Sequence, residues 1–230
     1  MNQIEGWKLK NKKAIIVLAV FLALVTLVYS IDSIGTSPNN QNGKLARVAC
    51  MGDSITEVSG YPEDLQALLG NDSVVGNFGV RGATVSFGSV NPYYFTEKYP
   101  DAVEFQPTTV VLMLGTNDAR TDTYELIESF VSNYKQIIEG IQTSKDSSKA
   151  QIYLVKPPPV FENDLNISST DLANGIIPKI EQVAQELNLP IIDLYTPLLN
   201  HPEYYLDGVH LNSEGAQYIA NTIYEAIKNQ

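Results

Sequence analysis

Residues 46–54 have the sequence Ala-Arg-Val-Ala-Cys-Met-Gly-Asp-Ser, a short apolar run that ends at a glycine followed by two polar residues. Residues 110–115 show the same pattern, since Val-Val-Leu-Met-Leu is followed by glycine. Neither run alternates between apolar and polar residues, which is typical of strands covered on both faces, as in a parallel sheet. Similar short runs occur at residues 74–75, 152–155 and 191–194. We therefore predict five strands in one parallel sheet.

Helical patterns lie between these runs. The clearest has Asp122 as its expected N-cap and continues as an apolar stripe to Ile141. Other helices are predicted at residues 62–69, around Ile180 and at residues 216–227. Short buried strands that alternate with helices indicate right-handed crossovers, with helices on both faces of the sheet. The predicted fold class is α/β, a three-layer α/β/α sandwich.

The composition excludes several kinds of site. The chain of 230 residues contains two histidines, His201 and His210, and one cysteine, Cys50. This set is too small for a His/Cys zinc cluster or an intramolecular disulfide. The formal net charge is −11, and a surface of that sign repels a phosphate backbone, so we expect no nucleic-acid partner. Cys50 lies in an apolar run and is expected to be a small core side chain.

The first 32 residues differ from the rest of the chain. Four lysines precede an uncharged stretch from Ala14 to Ile31, and a helix of that length spans roughly 27 Å, close to the thickness of the hydrocarbon core of a bilayer. The positive-inside rule places the lysines in the cytoplasm and the remainder of the chain outside. Two interpretations of residues 1–32 stay open, an uncleaved membrane anchor and a cleaved signal peptide. Residues 33–44 are rich in turn formers and are expected to be a flexible linker to a domain at residues 45–230.

Polar residues concentrate where the predicted strands end, which is where parallel sheets bind ligands. Ser54 follows the first strand, although a serine at such a turn is also a common helix N-cap. A serine nucleophile needs a base and a third group that orients the base. Asp207 lies three residues before His210, and a turn at Gly208 would bring its carboxylate to the ring. His201 has no such partner in the nearby sequence and is interpreted as a surface loop residue.

Asp53, immediately before Ser54, allows another interpretation of this turn, as the site of an aspartyl nucleophile. Aspartyl nucleophiles of phosphoryl transfer also follow strands, but they have a second acid two residues later, where this chain has Ile55. We therefore expect Asp53 to brace the turn by hydrogen bonds rather than to attack a substrate.

Four segments, taken together, resemble the motif blocks of the SGNH hydrolases, also called the GDSL esterase/lipase superfamily. They are Gly-Asp-Ser-Ile at residues 52–55, Asn-Phe-Gly-Val-Arg-Gly at residues 77–82, Gly-Thr-Asn-Asp at residues 115–118 and Asp-Gly-Val-His at residues 207–210. The first block has isoleucine where the family name has leucine. A single block is a weak signal, whereas four in this order at predicted strand ends are specific. The resemblance covers about residues 47–220 and implies a flavodoxin-like fold.

The resemblance also implies roles for individual residues. Ser54 would be the nucleophile, His210 its base and Asp207 the group that orients the base. The backbone N–H groups of Ser54 and Gly82 and the side-chain amide of Asn117 would form the oxyanion hole. Such an enzyme is a serine esterase that needs no metal ion and no cofactor.

Two longer strings, at residues 77–84 and 157–161, resemble sialate O-acetylesterase-like proteins and carbohydrate O-acetylesterases. This resemblance implies a small-molecule or glycan ester as the substrate, most specifically an acetyl ester on carbohydrate. Two alternatives stay open, a lipid acyl hydrolase of the lysophospholipase or thioesterase type and a catalytically inactive surface binding module. The expected location is extracytoplasmic, with membrane contact through the N-terminal segment if that segment is uncleaved.

Overall fold

The computed structural model of the protein describes residues 45–228. The predicted anchor or signal peptide at residues 1–32 and the predicted linker at residues 33–44 lie outside the described residues. Within residues 45–228, no helix has both the length and the apolar character needed to cross a bilayer.

Within the described residues, five parallel strands form one sheet, as predicted. The strands are β1 (Ala46–Gly52), β2 (Ser73–Gly79), β3 (Thr109–Met113), β4 (Gln151–Lys156) and β5 (Ile191–Asp193). Their order in the sheet is β2-β1-β3-β4-β5, and each neighbouring pair is parallel. The chain moves from β1 to one side for β2 and to the other side for β3. In open α/β sheets, ligands bind beside the strand where the order reverses, which here is the carboxyl end of β1.

Eight helices surround the sheet in the described part of the chain. They are α1 (Ser54–Val58), α2 (Tyr61–Leu69), α3 (Lys98–Glu104), α4 (Phe130–Thr143), α5 (Ser169–Asp171), α6 (Ile177–Leu187), α7 (Tyr195–Leu198) and α8 (Ser213–Ile227). Short 3₁₀ helices at Asn117–Ala119 and Tyr124–Ser129 and a π-helical turn at Leu172–Ile176 complete the elements that bear on the site.

The two faces of the sheet are both covered, which explains why the strands are apolar without alternation. Ala49 and Met51 of β1 pack in a core with residues of α3, α4 and α6. Val48 and Cys50, which point the other way, pack in a second core with residues of α2 and α8. All four side chains are at most 2% exposed. The predicted three-layer sandwich is therefore confirmed, and so is the burial of Cys50.

The helix predicted to begin at Asp122 begins later. Residues Tyr124–Ser129 form a 3₁₀ helix, and the α-helix begins at Phe130. Asp122 is not a cap, because its carboxylate accepts hydrogen bonds from Arg120 at 3.1 and 2.8 Å instead. The sequence has the pattern of a capping residue followed by an apolar stripe. Both carboxylate oxygens of Asp122 nevertheless bond Arg120, so Asp122 does not cap the helix.

The C-terminal helix begins three residues earlier than predicted. Its N-cap is Asn212, whose side chain accepts a hydrogen bond from the N–H of Gly215 at 3.0 Å. The helix predicted at residues 62–69 agrees within one residue with α2, and Gly70 ends it in a positive-φ conformation. The start of the C-terminal helix thus follows the side chain that satisfies a free N–H group of its first turn.

Candidate active site

Ser54 is the first residue of α1 and not its N-cap. The cap is Asp53, whose Oδ1 accepts a hydrogen bond from the N–H of Ile55 at 2.9 Å. The prediction that Asp53 braces the turn is confirmed. Because Asp53 caps the helix, the hydroxyl of Ser54 is left to contact other groups, and the side chain is nearly buried, with 8% of the residue exposed.

The structure brings together the three residues predicted to form a catalytic triad. His210 Nε2 lies 2.9 Å from Ser54 Oγ, although 156 residues separate the two in the chain. His210 Nδ1 lies 2.7 Å from Asp207 Oδ2. A neutral imidazole that donates from Nδ1 to the carboxylate accepts at Nε2, so Ser54 can donate its proton to that nitrogen.

A tight turn holds Asp207 against the ring. Its Oδ1 accepts hydrogen bonds from the N–H of Val209 at 3.0 Å and of His210 at 2.7 Å. Gly208 between them has φ +82°, and a Cβ there would overlap the carbonyl oxygen of Glu162. Partial burial acts to raise the pKa of Asp207, but the hydrogen bonds from the His210 ring and the two N–H groups outweigh it, so the pKa lies below its ordinary value. The carboxylate is therefore charged at neutral pH.

The two other predicted oxyanion-hole residues line the same cavity as Ser54. Gly82 adopts φ +68°, a left-handed conformation that side chains rarely adopt. Asn117 opens the 3₁₀ helix after β3 and is 6% exposed. Its Nδ2 donates to the carbonyl oxygen of Ala83 at 3.1 Å, which fixes the orientation of the amide. One of the two amide hydrogens makes this bond, so the second is available to a ligand.

Asp118 organises this part of the site, a role that was not predicted from its position in the third motif block. Its two carboxylate oxygens accept hydrogen bonds from the N–H groups of Val85 and Ser86, both at 2.9 Å. Asp118 is 1% exposed, and burial raises its pKa. The side chain thus ties the loop after β3, which carries Asn117, to the loop after β2, which carries Gly82.

The cavity over Ser54 has a volume of about 440 Å³. Besides the five candidate site residues, its lining consists of three aliphatic side chains and two arginines, namely Val58, Leu165, Leu206, Arg81 and Arg120. Each arginine pairs with a neighbouring carboxylate, Arg81 with Glu57 at 3.5 Å and Arg120 with Asp122 at 2.8 Å. The aliphatic side chains are exposed, so the mouth of the cavity presents an apolar rim.

The expectation that His201 has no partner is wrong. Its Nδ1 lies 2.7 Å from Glu203 Oε1, and its ring stacks on Tyr204 with centroids 5.0 Å apart. Glu203 lies two residues after its histidine, whereas Asp207 lies three residues before His210. His201 is not among the residues that line the cavity, and its side chain is 41% exposed.

Residues 50–218 match the model of the GDSL-like lipase/acylhydrolase family. An acetylxylan esterase of Xylanibacter ruminicola is 34% identical over 206 residues, which cover 79% of this chain and 43% of that protein. The chain spans less than half the length of the curated relatives it matches.

Two solved structures share the fold. The lipase/acylhydrolase from Enterococcus faecalis has a TM-score of 0.63 and 24% identity, covering 80% of this chain and 96% of that one. An acetyl xylan esterase has a TM-score of 0.62 and 23% identity, covering 79% of this chain and 99% of that one. The family match, which covers most of the chain, shows that this protein belongs to the GDSL-like lipase/acylhydrolase family.

Proposed function

We propose that this chain is a serine esterase that removes short-chain acyl groups, most specifically acetyl groups, from esters of carbohydrate. The observation that carries the proposal is the hydrogen-bonded series from Asp207 through His210 to Ser54. This series ends in a cavity that Gly82 and Asn117 also line. A nucleophile, its base and candidate oxyanion donors thus face one space.

The first step is acylation of the serine. His210 Nε2 takes the proton of Ser54 Oγ as that oxygen attacks the ester carbonyl. The negative charge that develops on the carbonyl oxygen is stabilised by the N–H groups of Ser54 and Gly82 and by the side-chain amide of Asn117. The C–O bond to the alcohol then breaks, and His210 returns the proton to the departing oxygen. The products are the free alcohol and an acyl-serine.

The second step is hydrolysis of the acyl-serine. His210 removes a proton from water, whose oxygen attacks the acyl carbonyl, and then gives that proton to Ser54 Oγ as the acid is released. Asp207 stays ionised throughout and stabilises the imidazolium that forms in both steps. These residues supply the proton transfers and the oxyanion stabilisation that ester hydrolysis requires.

The preference for acetyl groups on carbohydrate rests on similarity. The relative that is 34% identical is named an acetylxylan esterase, and the site geometry by itself suits any ester that fits the cavity. We carry this substrate class to the present chain as part of the proposal.

The apolar rim favours a second candidate, a lipid acyl hydrolase. Val58, Leu165 and Leu206 line the cavity and are 43%, 42% and 73% exposed. Each methylene of an acyl chain that they covered would add about 0.8 kcal/mol of binding. Comparing kcat/KM for p-nitrophenyl acetate and p-nitrophenyl octanoate separates the two. A higher value for acetate supports the acetylesterase, and a higher value for octanoate supports the lipid hydrolase.

A serine-directed experiment tests the esterase proposal and the alternative of an inactive binding module. Ser54→Ala is expected to abolish hydrolysis of p-nitrophenyl acetate and labelling by a fluorophosphonate, with an unchanged melting temperature. Ser132→Ala is the matched control, because the Ser132 hydroxyl is exposed on α4 and bonds only the carbonyl oxygen of Ser129. Full activity in Ser54→Ala would exclude Ser54 as the nucleophile, and an unlabelled, inactive wild-type protein would support the binding module.

The proposal includes an extracytoplasmic location. Its support is the sequence pattern of residues 1–32, which fits both an anchor and a signal peptide. N-terminal sequencing of the mature protein distinguishes the two, because a cleaved signal peptide removes the apolar stretch and an anchor keeps it.

A further inference from the structure

Asn91, which is not among the residues that line the cavity, bonds the peptide unit that carries a candidate oxyanion donor. Its Nδ2 donates a hydrogen bond to the carbonyl oxygen of Arg81 at 2.9 Å. That carbonyl belongs to the same peptide unit as the N–H of Gly82. Because a trans peptide is planar, its C=O and N–H point in opposite directions. A donor that fixes the carbonyl therefore also fixes the direction of the Gly82 N–H.

The peptide between Arg81 and Gly82 is the central unit of a β-turn. The N–H of Ala83 donates to the carbonyl oxygen of Val80 at 3.1 Å, which closes the turn. Arg81 has a negative φ and Gly82 has φ +68°, which is the pattern of a type II turn. Type I and type II turns differ mainly in the orientation of the central peptide. A flip of this one peptide would therefore turn the Gly82 N–H to the opposite side of the turn.

The two ends of this peptide have different partners. Gly82 lines the cavity together with Ser54, and within residues 45–228 its N–H donates no hydrogen bond. The carbonyl oxygen at the other end accepts the bond from Asn91. The N–H is thus free to bind a ligand, while the carbonyl is bonded by a side chain that is not part of the cavity lining.

The backbone of Asn91 is itself fixed in the loop after β2. Its carbonyl oxygen accepts hydrogen bonds from the N–H of Thr84 at 3.1 Å and from the Thr84 hydroxyl at 3.3 Å. Its N–H donates to Ser89 Oγ at 3.3 Å. Two residues later, the N–H of Tyr93 donates to the carbonyl oxygen of Thr84 at 2.9 Å. These bonds on both sides of Asn91 fix the position from which its side chain reaches Arg81.

We propose that Asn91 is a positioning residue of the oxyanion hole, which keeps the peptide between Arg81 and Gly82 oriented with its N–H toward the cavity. The amide of Asn91 acts through this peptide and does not touch the substrate. Without it, the peptide is free to tilt or flip, and a flipped peptide presents a carbonyl oxygen to the developing negative charge. This inference rests on the esterase function proposed above.

The catalytic consequence is geometric. An oxyanion donor acts only when it lies about 2.7–3.1 Å from the oxygen that becomes charged, and loss of a whole donor costs roughly 100- to 1000-fold in kcat. Misplacement by about 1 Å costs on the order of 100-fold in rate. A variant of Asn91 keeps Gly82 and the turn, so its loss is expected to be smaller than that of a whole donor. Because the N–H contacts the charge of the transition state, kcat falls and KM stays nearly unchanged.

Variants of Asn91 test the proposal by steady-state hydrolysis of p-nitrophenyl acetate. Asn91→Leu removes the donor with little change in side-chain shape and is expected to lower kcat roughly 10- to 100-fold, with KM within about twofold. Asn91→Ala leaves space for a water molecule that can donate to Arg81, so its loss is expected to be smaller. Asn221→Leu on α8 is the matched control, because Asn221 Nδ2 also donates to a backbone carbonyl, that of Gln217, at 2.8 Å. If Asn91→Leu does not fold, the alanine variant decides.

A second measurement is independent of activity. The backbone amide signal of Gly82 in the nitrogen-15 NMR spectrum responds to a hydrogen bond at the carbonyl of its own peptide, because bonded groups polarise one another. In Asn91→Leu this signal is expected to shift, and to broaden if the peptide exchanges between orientations on the μs–ms timescale. The amide signal of Gly115 is expected to keep its position and serves as the internal control.

Three results would overturn the proposal. They are an unchanged Gly82 signal, a kcat in the deciding variant of Asn91 within about twofold of wild type, and an equal loss of kcat in Asn221→Leu. Wild-type protein and Ser54→Ala are assayed alongside. If wild-type protein hydrolyses no ester, the proposed function fails, and the Gly82 signal still decides whether Asn91 fixes the peptide.

Discussion

Replacement of Asp207 by asparagine tests the proposed mechanism more sharply than replacement of the same residue by alanine. Oδ1 of Asp207 accepts two backbone N–H groups, from Val209 and His210. An asparagine keeps these bonds only with its carbonyl oxygen in the Oδ1 position, so its NH₂ group takes the place of Oδ2, opposite His210 Nδ1. Two donors cannot face each other at that distance. The ring must therefore place its proton on Nε2, which faces Ser54.

This tautomer cannot accept the serine proton. The loss expected for a triad with the wrong tautomer is about 10⁴-fold in kcat. Asp207→Ala leaves the ring free to adopt either tautomer, and its loss is expected to be smaller, roughly 10²- to 10³-fold, in the range of general-base catalysis. Because the side chain of Asp207 is 48% exposed, water replaces its bonds in the alanine variant, and the stability cost is expected to be under about 1 kcal/mol.

The assay is steady-state hydrolysis of p-nitrophenyl acetate by wild type, Asp207→Asn and Asp207→Ala, with urea unfolding of each. The expected order of kcat is wild type, then alanine, then asparagine, at nearly equal stability. An asparagine variant as active as the alanine variant would refute the reasoning about the tautomer. Wild-type activity in both variants would remove Asp207 from the mechanism.

Two further predictions concern the oxyanion hole and the buried carboxyl. Asn117→Ala is expected to lower kcat roughly 100- to 1000-fold, about 3–4 kcal/mol in the barrier, measured with the same ester; an unchanged kcat would show that the amide does not contact the oxyanion. For Asp53, burial raises the pKa from 3.8 to about 6, so the folded protein holds this proton more tightly than the unfolded chain. Stability is thus expected to fall as pH rises from 3.8 to about 6, by up to about 3 kcal/mol. Asp53→Asn keeps the cap and should lose this fall, as urea unfolding at several pH values would show; an identical pH dependence in the variant would contradict the assigned pKa.

The sequence predicted the sheet because the relevant signal is local. Each strand contributes a short apolar run, and the absence of alternation in residues 46–51 and 110–114 reflects burial on both faces. The exact starts of helices were less predictable. Asp122 can either cap a helix or pair with Arg120, and a sequence pattern does not say which of these two local contacts forms.

The residues of the candidate site were also visible in the sequence, because the motif blocks and the turn at Gly208 are local features. Their geometry was not. The 2.9 Å contact of His210 with Ser54 depends on the placement of two segments 156 residues apart. The role of Asp118 and the partner of His201 were missed for related reasons, because the sequence does not say which backbone groups or side chains lie within hydrogen-bond distance of them.

The sequence by itself determined the strands, the three-layer class and the identity of the five candidate site residues, which make up half of the lining of the cavity. These follow from hydrophobic patterning and from turns that involve neighbours in the chain. The tertiary structure alone decided the distances within the triad, the link from Asp118 to the Gly82 loop and the complete burial of Asp53. The physical reason is that the order β2-β1-β3 brings the loops after three strands to one edge of the sheet. Contacts between those loops depend on packing between residues far apart in the chain.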